Sequence, residues 1–230
     1  MSEVVRGAIL LISATKGGNG KSTLVLSIAS ELVRRGYSVC IIDADKQRTV
    51  SKWLDRRNQL IEEGKDIPYI HGNHKLSPIK STVNAEALRH DFVLIDTGGH
   101  DSRELREALI LADVFYAITP PKQASLDTID DFIGLLEETR MVNAERNDAA
   151  FLNDASTHHM EKDTREAREF LADIQDVLPL SRTVIRHRHR VYETCHREGY
   201  GPVEIKTRTS GLSQAKAEIQ LLAQEILKHV

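Results

Sequence analysis

Residues 15–23 read Thr15-Lys16-Gly17-Gly18-Asn19-Gly20-Lys21-Ser22-Thr23 and follow an apolar run, Ala8 to Ile12. An apolar-periodic stretch, Leu24 to Val33, comes next. Strand, glycine-rich loop and helix in that order make the setting of a phosphate-binding loop. The glycines allow backbone N–H groups to turn inward around a polyphosphate. The helix that starts near Lys21 aims its positive end at the same anion. Lys21 has the reach for the β- and γ-phosphates, and the Ser22 hydroxyl suits Mg²⁺. The common pattern opens on glycine; here Thr15 stands in its place and a second lysine, Lys16, follows.

The rest of the chain alternates short apolar runs with longer helical patterns. Strands are expected at Ala8–Ser13, Ser38–Asp43, Ile67–His71, Phe92–Asp96, Val114–Thr119, Ala149–Asn153 and Thr183–Ile185. Helices are expected at Ser22–Arg35, Thr49–Glu63, Pro78–Arg89, Ser102–Ala112, Leu126–Met141, Lys162–Asp176, Val191–Glu198 and Ser213–His229. This alternation predicts right-handed βαβ crossovers and an α/β fold, a mostly parallel twisted sheet with helices on both faces. Near-continuous apolar strands fit a sheet covered on both sides. Nothing in 230 residues marks a linker or repeat, so residues 1–230 are read as one domain.

Composition narrows the class. Hydrophobic residues make up 40% and charged residues 28%, as in a globular protein. No apolar run approaches the ~20 residues of a membrane span, and the first residues lack a signal-peptide pattern. Cys40, within an apolar strand, is expected to be a buried thiol, and Cys195 stands far from it, so neither a disulfide framework nor a cysteine-based metal site is expected. These features predict a cytoplasmic protein.

Two further strands close in acids. Ser38–Asp43 leads into Asp43-Ala44-Asp45-Lys46-Gln47, and Phe92–Asp96 into Asp96-Thr97-Gly98-Gly99. In open α/β sheets ligands sit at the carboxyl ends of strands, so three acids should meet the phosphate loop at one edge. Asp96, ending an apolar run, has the form of a Mg²⁺-holding acid, acting through water. Asp43 and Asp45 divide two roles, support of the metal shell and orientation of the attacking water. Spacing does not decide which takes which.

Net charge is −3, yet residues 181–210 hold seven Lys/Arg against three acids, a local +4. If this segment is extended, Arg186, Arg188 and Arg190 fall on one side, a row suited to phosphates of DNA without sequence preference. Lys206 and Arg208 would continue the patch. His187, His189 and His196 lack partners at metal-ligand spacing and are read as surface polar, and His158-His159 as a loop. In the last helical pattern Ile219, Leu222, Ala223, Ile226 and Leu227 form one apolar face. Its polar face is not rich in Lys/Arg, so docking on the core is expected and not a place on a membrane.

The loop from Lys16 to Thr23 resembles the deviant Walker A box of the ParA/MinD family of ATPases. Asp43 to Gln47 resembles that family's second box, with Lys46 in the place of proline. Asp96 to Gly99 is similar to its Walker B box, with Gly98-Gly99 where Pro-Pro is frequent, a change expected to loosen that loop. Similarity extends to Thr183–Glu193 and Gly199. Without a helix-turn-helix ahead of the loop, the short plasmid-type partition ATPases are the nearest group. The resemblance implies ATP and Mg²⁺ as ligands. It implies that Gly17, Gly18, Asn19, Gly20, Lys21, Ser22 and Thr23 cradle the nucleotide, with Asp43 assisting at the metal site. Lys16 would cross to the phosphates of a partner subunit, Asp45 would position the attacking water, and Ser22 and Asp96 would hold Mg²⁺. Asn153 would contact adenine. The implied activity is hydrolysis of ATP to ADP and phosphate by a homodimer that binds DNA non-specifically and partitions a plasmid or chromosome. A centromere-binding adaptor protein would stimulate it, and the ATP-bound form would associate with the nucleoid. The alternative is a MinD-like ATPase that positions another cargo or acts at the membrane. A nitrogenase iron-protein type is opposed by the cysteine positions, and no motif marks the second substrate pocket of an amidoligase.

Overall fold

The computed structural model describes residues 6–14, 16–157 and 162–230; Thr15 and the His158-His159 pair lie outside them. In chain order the elements are β1 (Ala8–Ser13), α1 (Lys21–Arg34), β2 (Val39–Ala44), α2 (Thr49–Glu62), β3 (His71–His74), α3 (Lys80–Ala87), β4 (Phe92–Thr97) and α4 (Arg103–Leu111). There follow β5 (Val114–Thr119), α5 (Gln123–Leu126), α6 (Ile129–Arg140), β6 (Asn147–Ala155), α7 (Lys162–Asp173), β7 (Leu180–Arg186), α8 (His189–Glu198) and α9 (Leu212–Ile226). The strands form one sheet in the order β3-β2-β4-β1-β5-β6-β7, and every pair is parallel.

Alternation along the strands splits the core. Leu10, Ile12, Ile41 and Leu94 pack with Leu24, Ile28 and Leu32 of α1, Trp53 of α2 and Ile219, Leu222 and Ile226 of α9. Ile9, Leu11, Ile42 and Ile95 face the other way, against Val83 of α3, Leu105 and Leu109 of α4, Leu136 of α6 and Leu171 of α7. Each such side chain, fully withdrawn from water, contributes about 1.5–3 kcal/mol before entropy is counted. α1 is covered on nearly all sides. Its two buried serines satisfy themselves within the helix, Ser27 Oγ donating to Thr23 O at 2.7 Å and Ser30 Oγ to Leu26 O at 2.8 Å. The apolar face of α9 is buried in this core, as its pattern predicts.

Three expectations shift. The strand expected at Ile67–His71 lies further on, at His71–His74, where parallel pairing sets Cys40 beside His71 and Asp43 beside His74. Pro68 lacks an N–H for a ladder, and its carbonyl instead accepts Arg57 Nη2 at 2.7 Å. The helix expected at Leu126–Met141 is interrupted, because Thr128 Oγ1 donates to Ser125 O at 3.0 Å and closes α5 before α6 begins. The condition for an arginine row, a segment extended through Arg190, is not met: β7 stops at Arg186 and α8 starts at His189.

Arg57 and Glu204 clasp α2 to the segment after α8. Both side chains are nearly withdrawn from water, and the guanidinium donates to the two carboxylate oxygens at 2.8 and 2.6 Å. Arg57 also lies 5.2 Å from the Trp53 ring centre.

Candidate nucleotide-binding site

Parallel pairing brings the carboxyl ends of β1, β2 and β4 together. Ile12 and Asp43 both lie beside Asp96 in register. The loops that leave these strands therefore share one edge of the sheet, as the three boxes require.

The phosphate loop turns on Gly18 and Gly20, with φ of 80° and 84°, conformations that side chains with a Cβ rarely adopt. Gly20 caps α1 without a side-chain acceptor, so the first N–H groups of the helix meet no capping oxygen of their own and suit an anion. The loop's two lysines part company. Lys21 is buried and its Nζ donates to Lys16 O at 3.2 Å. Burial lowers its pKa, opposed by Asp96 and Asp45. Lys16, Gly17 and Gly18 are exposed on the rim.

Asp96 is fully buried and accepts a 2.7 Å hydrogen bond from Ser22 Oγ on Oδ2. Its Oδ1 is buried without a hydrogen-bond partner. Burial pushes its carboxyl up to about 7, with Asp43 and Asp45 adding to the effect and Ser22 and Lys21 opposing it. A hydroxyl beside a carboxylate with one oxygen lacking a partner is a hard-oxygen donor set that fits Mg²⁺.

Asp43, expected to assist at the metal site, is hydrogen-bonded through both oxygens within the fold. Its Oδ2 accepts the Ser51 N–H at 2.7 Å and the Ser51 hydroxyl at 2.6 Å, and its Oδ1 accepts the Asp45 N–H at 3.2 Å. Both oxygens brace the start of α2 and the following loop. Asp45 is half-buried on the rim, where its Oδ1 accepts the Gln47 N–H at 2.9 Å. Lys46 is exposed beyond it.

Gly99 was expected to loosen its loop and instead packs it. A Cβ there would lie 2.5 Å from Gly17 N and 2.6 Å from Lys16 C, closer than backbone atoms allow. Thr97 Oγ1 and Ser13 Oγ, 3.1 Å apart, tie the two strand ends below this contact.

Asn153, near the end of β6, donates from Nδ2 to Asn19 O at 2.7 Å. Beside it opens a cleft of about 450 Å³, bounded on the loop side by Gly18, Gly20 and Thr23. Arg186, Arg188 and Tyr192 form part of its other wall. The arginine row is thereby corrected. Arg186 turns inward to Ser156 O, and Arg188 Nη1 donates to Glu218 of α9 at 2.6 Å with both side chains largely covered. Arg190 alone of the three is exposed, on α8. Lys206 and Arg208 line a separate, larger groove together with Arg34 and Lys65. Thr23 lines the cleft, as the resemblance implies, whereas Tyr192 carries no signal in the sequence. Helical periodicity cannot show that α8 folds back over the phosphate loop, since that depends on β7 lying next to β6.

The family model described as ATPase MipZ matches residues 8–172. "Maintenance of carboxysome distribution protein A" of Halothiobacillus neapolitanus is 26% identical over 219 residues, which cover 95% of each chain. The solved ATP complex of a Cyanothece McdA variant superposes with a TM-score of 0.74 at 12% identity and covers 97% of both chains. The cell division ATPase MinD of Pyrococcus furiosus gives a TM-score of 0.72 at 21% identity, over 97% of this chain and 100% of that one. With a phosphate loop, a buried Ser22–Asp96 pair and a family match over most of its length, this chain belongs to the MipZ/ParA/MinD family of ATPases.

Proposed function

We propose that this ATPase is a dimerising switch that partitions DNA, with ATP closing two subunits on each other and hydrolysis releasing them. The observation that carries the reading is the division of labour in one loop: Lys21 is buried at the start of α1 while Lys16 is exposed on the rim. Lys21 neutralises phosphates within its own subunit. Lys16 supplies a second cation to the nucleotide of the facing subunit, which makes turnover depend on association. Asp45 orients the water that attacks the γ-phosphorus. The new P–O bond forms as the bond to the bridging oxygen breaks, and ADP leaves. Ser22 and Asp96 are the residues that would hold Mg²⁺, which offsets phosphate charge when bound. Asn153 and the cleft beside it receive the base.

The DNA-binding surface is assigned to Lys206 and Arg208, with Arg34 and Lys65 in the same groove. Arg190 on α8 adds to it. Arg186 and Arg188 belong to the nucleotide cleft. Such contacts bind phosphates without reading bases. A DNA titration with ATP, with ADP and without nucleotide, at two salt concentrations, tests the switch. Tight, salt-sensitive binding with ATP alone is expected; equal binding in all three states would overturn it. The adaptor that stimulates turnover is expected to be a centromere-binding protein of the ParB type.

A second reading has the same switch carry a protein body as cargo. It is favoured by the relative named for carboxysome distribution, which aligns over 95% of both chains. Normal DNA inheritance in a deletion strain, with a protein body misplaced, would decide for it. Action at a membrane is less favoured, because the apolar face of α9 is already packed against α1 and β7.

A further inference from the structure

At the opposite ends of the strands from the nucleotide loops, three potential ligands converge. Cys40 is the second residue of β2, His71 opens β3 directly beside it in register, and Glu86 reaches in from α3. One ligand atom from each lies within 4.8 Å of the other two. This is the sole such His/Cys/Asp/Glu group among the described residues. Cys40 and Glu86 are buried, and His71 is half-exposed.

The Glu86 carboxylate is under-compensated for its burial. Oε1 accepts one hydrogen bond, from Asn73 Nδ2 at 3.0 Å. Oε2 is buried and accepts none. It lies 3.3 Å from His90 Nδ1, but that nitrogen is engaged with the Glu86 carbonyl at 3.1 Å. Arg89 is 3.8 Å from Oε1 and its side chain is 71% exposed, a pair that water screens. A buried carboxylate normally has a cation or several donors. The two imidazoles of His71 and His90 stack 5.3 Å apart at the mouth.

We infer that Cys40, His71 and Glu86 form a binding site for a borderline divalent transition metal of the Zn²⁺ class. One thiolate, one imidazole and one carboxylate suit Zn²⁺ or Co²⁺ and not Mg²⁺, which prefers oxygen. Ligand atoms of a tetrahedral zinc centre are roughly 3.3–3.8 Å apart, given its usual bond lengths. The three atoms, within 4.8 Å of one another, stand at most about 1–1.5 Å wider than that, a difference the side chains would close on the metal. The Cys40 proton leaves to solvent as the Sγ–metal bond forms. Two negative ligands then balance the dication, and the buried Glu86 oxygen gains its partner. Asn73 holds Glu86 in place, and water takes the fourth position. The metal ties the edge strand β3 and helix α3 to β2, so its role is to stiffen an edge of the sheet away from the site of hydrolysis.

The test uses the full chain, stripped with a chelator and held in excess Mg²⁺ and ADP to keep the nucleotide site occupied. Zn²⁺ is titrated by calorimetry and Co²⁺ by absorption. One metal per chain is expected, with a thiolate-to-cobalt charge-transfer band and a higher melting temperature. Cys40→Ser should abolish the band, and His71→Ala should weaken Zn²⁺ binding by at least about tenfold, the loss that even a residue supporting a ligand from the outer shell brings. Cys195→Ser should leave both unchanged. His71→Ala replaces a half-exposed edge residue, so its ADP binding serves as the control for folding if Cys40→Ser proves unstable. Absence of the band in the parent chain, its persistence in Cys40→Ser, or unchanged Zn²⁺ affinity in His71→Ala would each overturn the site.

Discussion

Gly99 and Gly17 belong to two loops whose backbones touch: a Cβ on Gly99 would stand 2.5 Å from Gly17 N. The loop after β4 thus rests on the phosphate loop itself. A change on one is felt by the other with no side chain between them.

Gly99→Ala is therefore expected to push the phosphate loop outward. Overpacking against backbone costs about 1–3 kcal/mol, or roughly 5- to 150-fold in nucleotide affinity. Gly98→Ala is its control, because a Cβ there meets the end of the His100 ring at 3.3 Å, which can move aside. Titration with a fluorescent ATP analogue should separate the two variants. Equal affinities would show that the loops do not bear on each other in solution.

Lys16→Ala should keep nucleotide binding, since Lys21 and the loop backbone remain. Loss of one preorganised charge at the reacting phosphate typically lowers turnover by about 10²–10³-fold. The defect should appear in stimulated hydrolysis, measured by phosphate release. A variant with full turnover would remove Lys16 from the partner's site.

Asp45→Ala is expected to dimerise with ATP and then remain closed. Removing a group that orients the attacking water costs about 10²–10⁴-fold in rate. Sizing chromatography with ATP reads the dimer, and a phosphate assay reads the loss. Asp43→Ala should behave differently, because Asp43 holds Ser51 at the start of α2. Its main effect should be a lower melting temperature.

Arg188→Glu illustrates how packing changes the meaning of a substitution. As a member of an exposed row it would report on DNA. Paired at 2.6 Å with Glu218, it sets two carboxylates against each other in a largely covered place. A loss of about 3 kcal/mol is expected, near 6–12 °C in melting temperature for a domain of this size. Lys206→Glu and Arg208→Glu are the informative pair for DNA. Each should weaken binding across all sequences and reduce the salt slope by about one. Unchanged affinity in the double variant would move the DNA surface elsewhere.

Much of this site is local in the chain. A phosphate loop is a run of adjacent residues whose φ angles and N–H groups form the cradle, so Gly18, Gly20, Lys21 and Ser22 declare it wherever the flanks are strand and helix. An apolar strand that ends in Asp places Asp96 and Asp43 at the carboxyl edge, because parallel strands all end on the same side. The alternation of apolar runs with amphipathic stretches dictates the layers for the same reason, each face needing cover.

What lay beyond the sequence involves partners distant along the chain. Asp43 and Asp45 stand two residues apart and look alike in the sequence. Only the position of Ser51 on α2 commits Asp43 to bracing and leaves Asp45 on the rim. The period-2 arginines describe a row only if the backbone stays extended, and the turn into α8 sends them three ways. Cys40, His71 and Glu86 carry no motif, since the register of β2 with β3 and the seat of α3 bring them together. The sequence by itself determined the fold class and the phosphate chemistry, which depend on neighbours a few residues away. Tertiary structure decided which charges face ligand, core or solvent, because a side chain's electrostatic partners are set by packing across the sheet and not by adjacency.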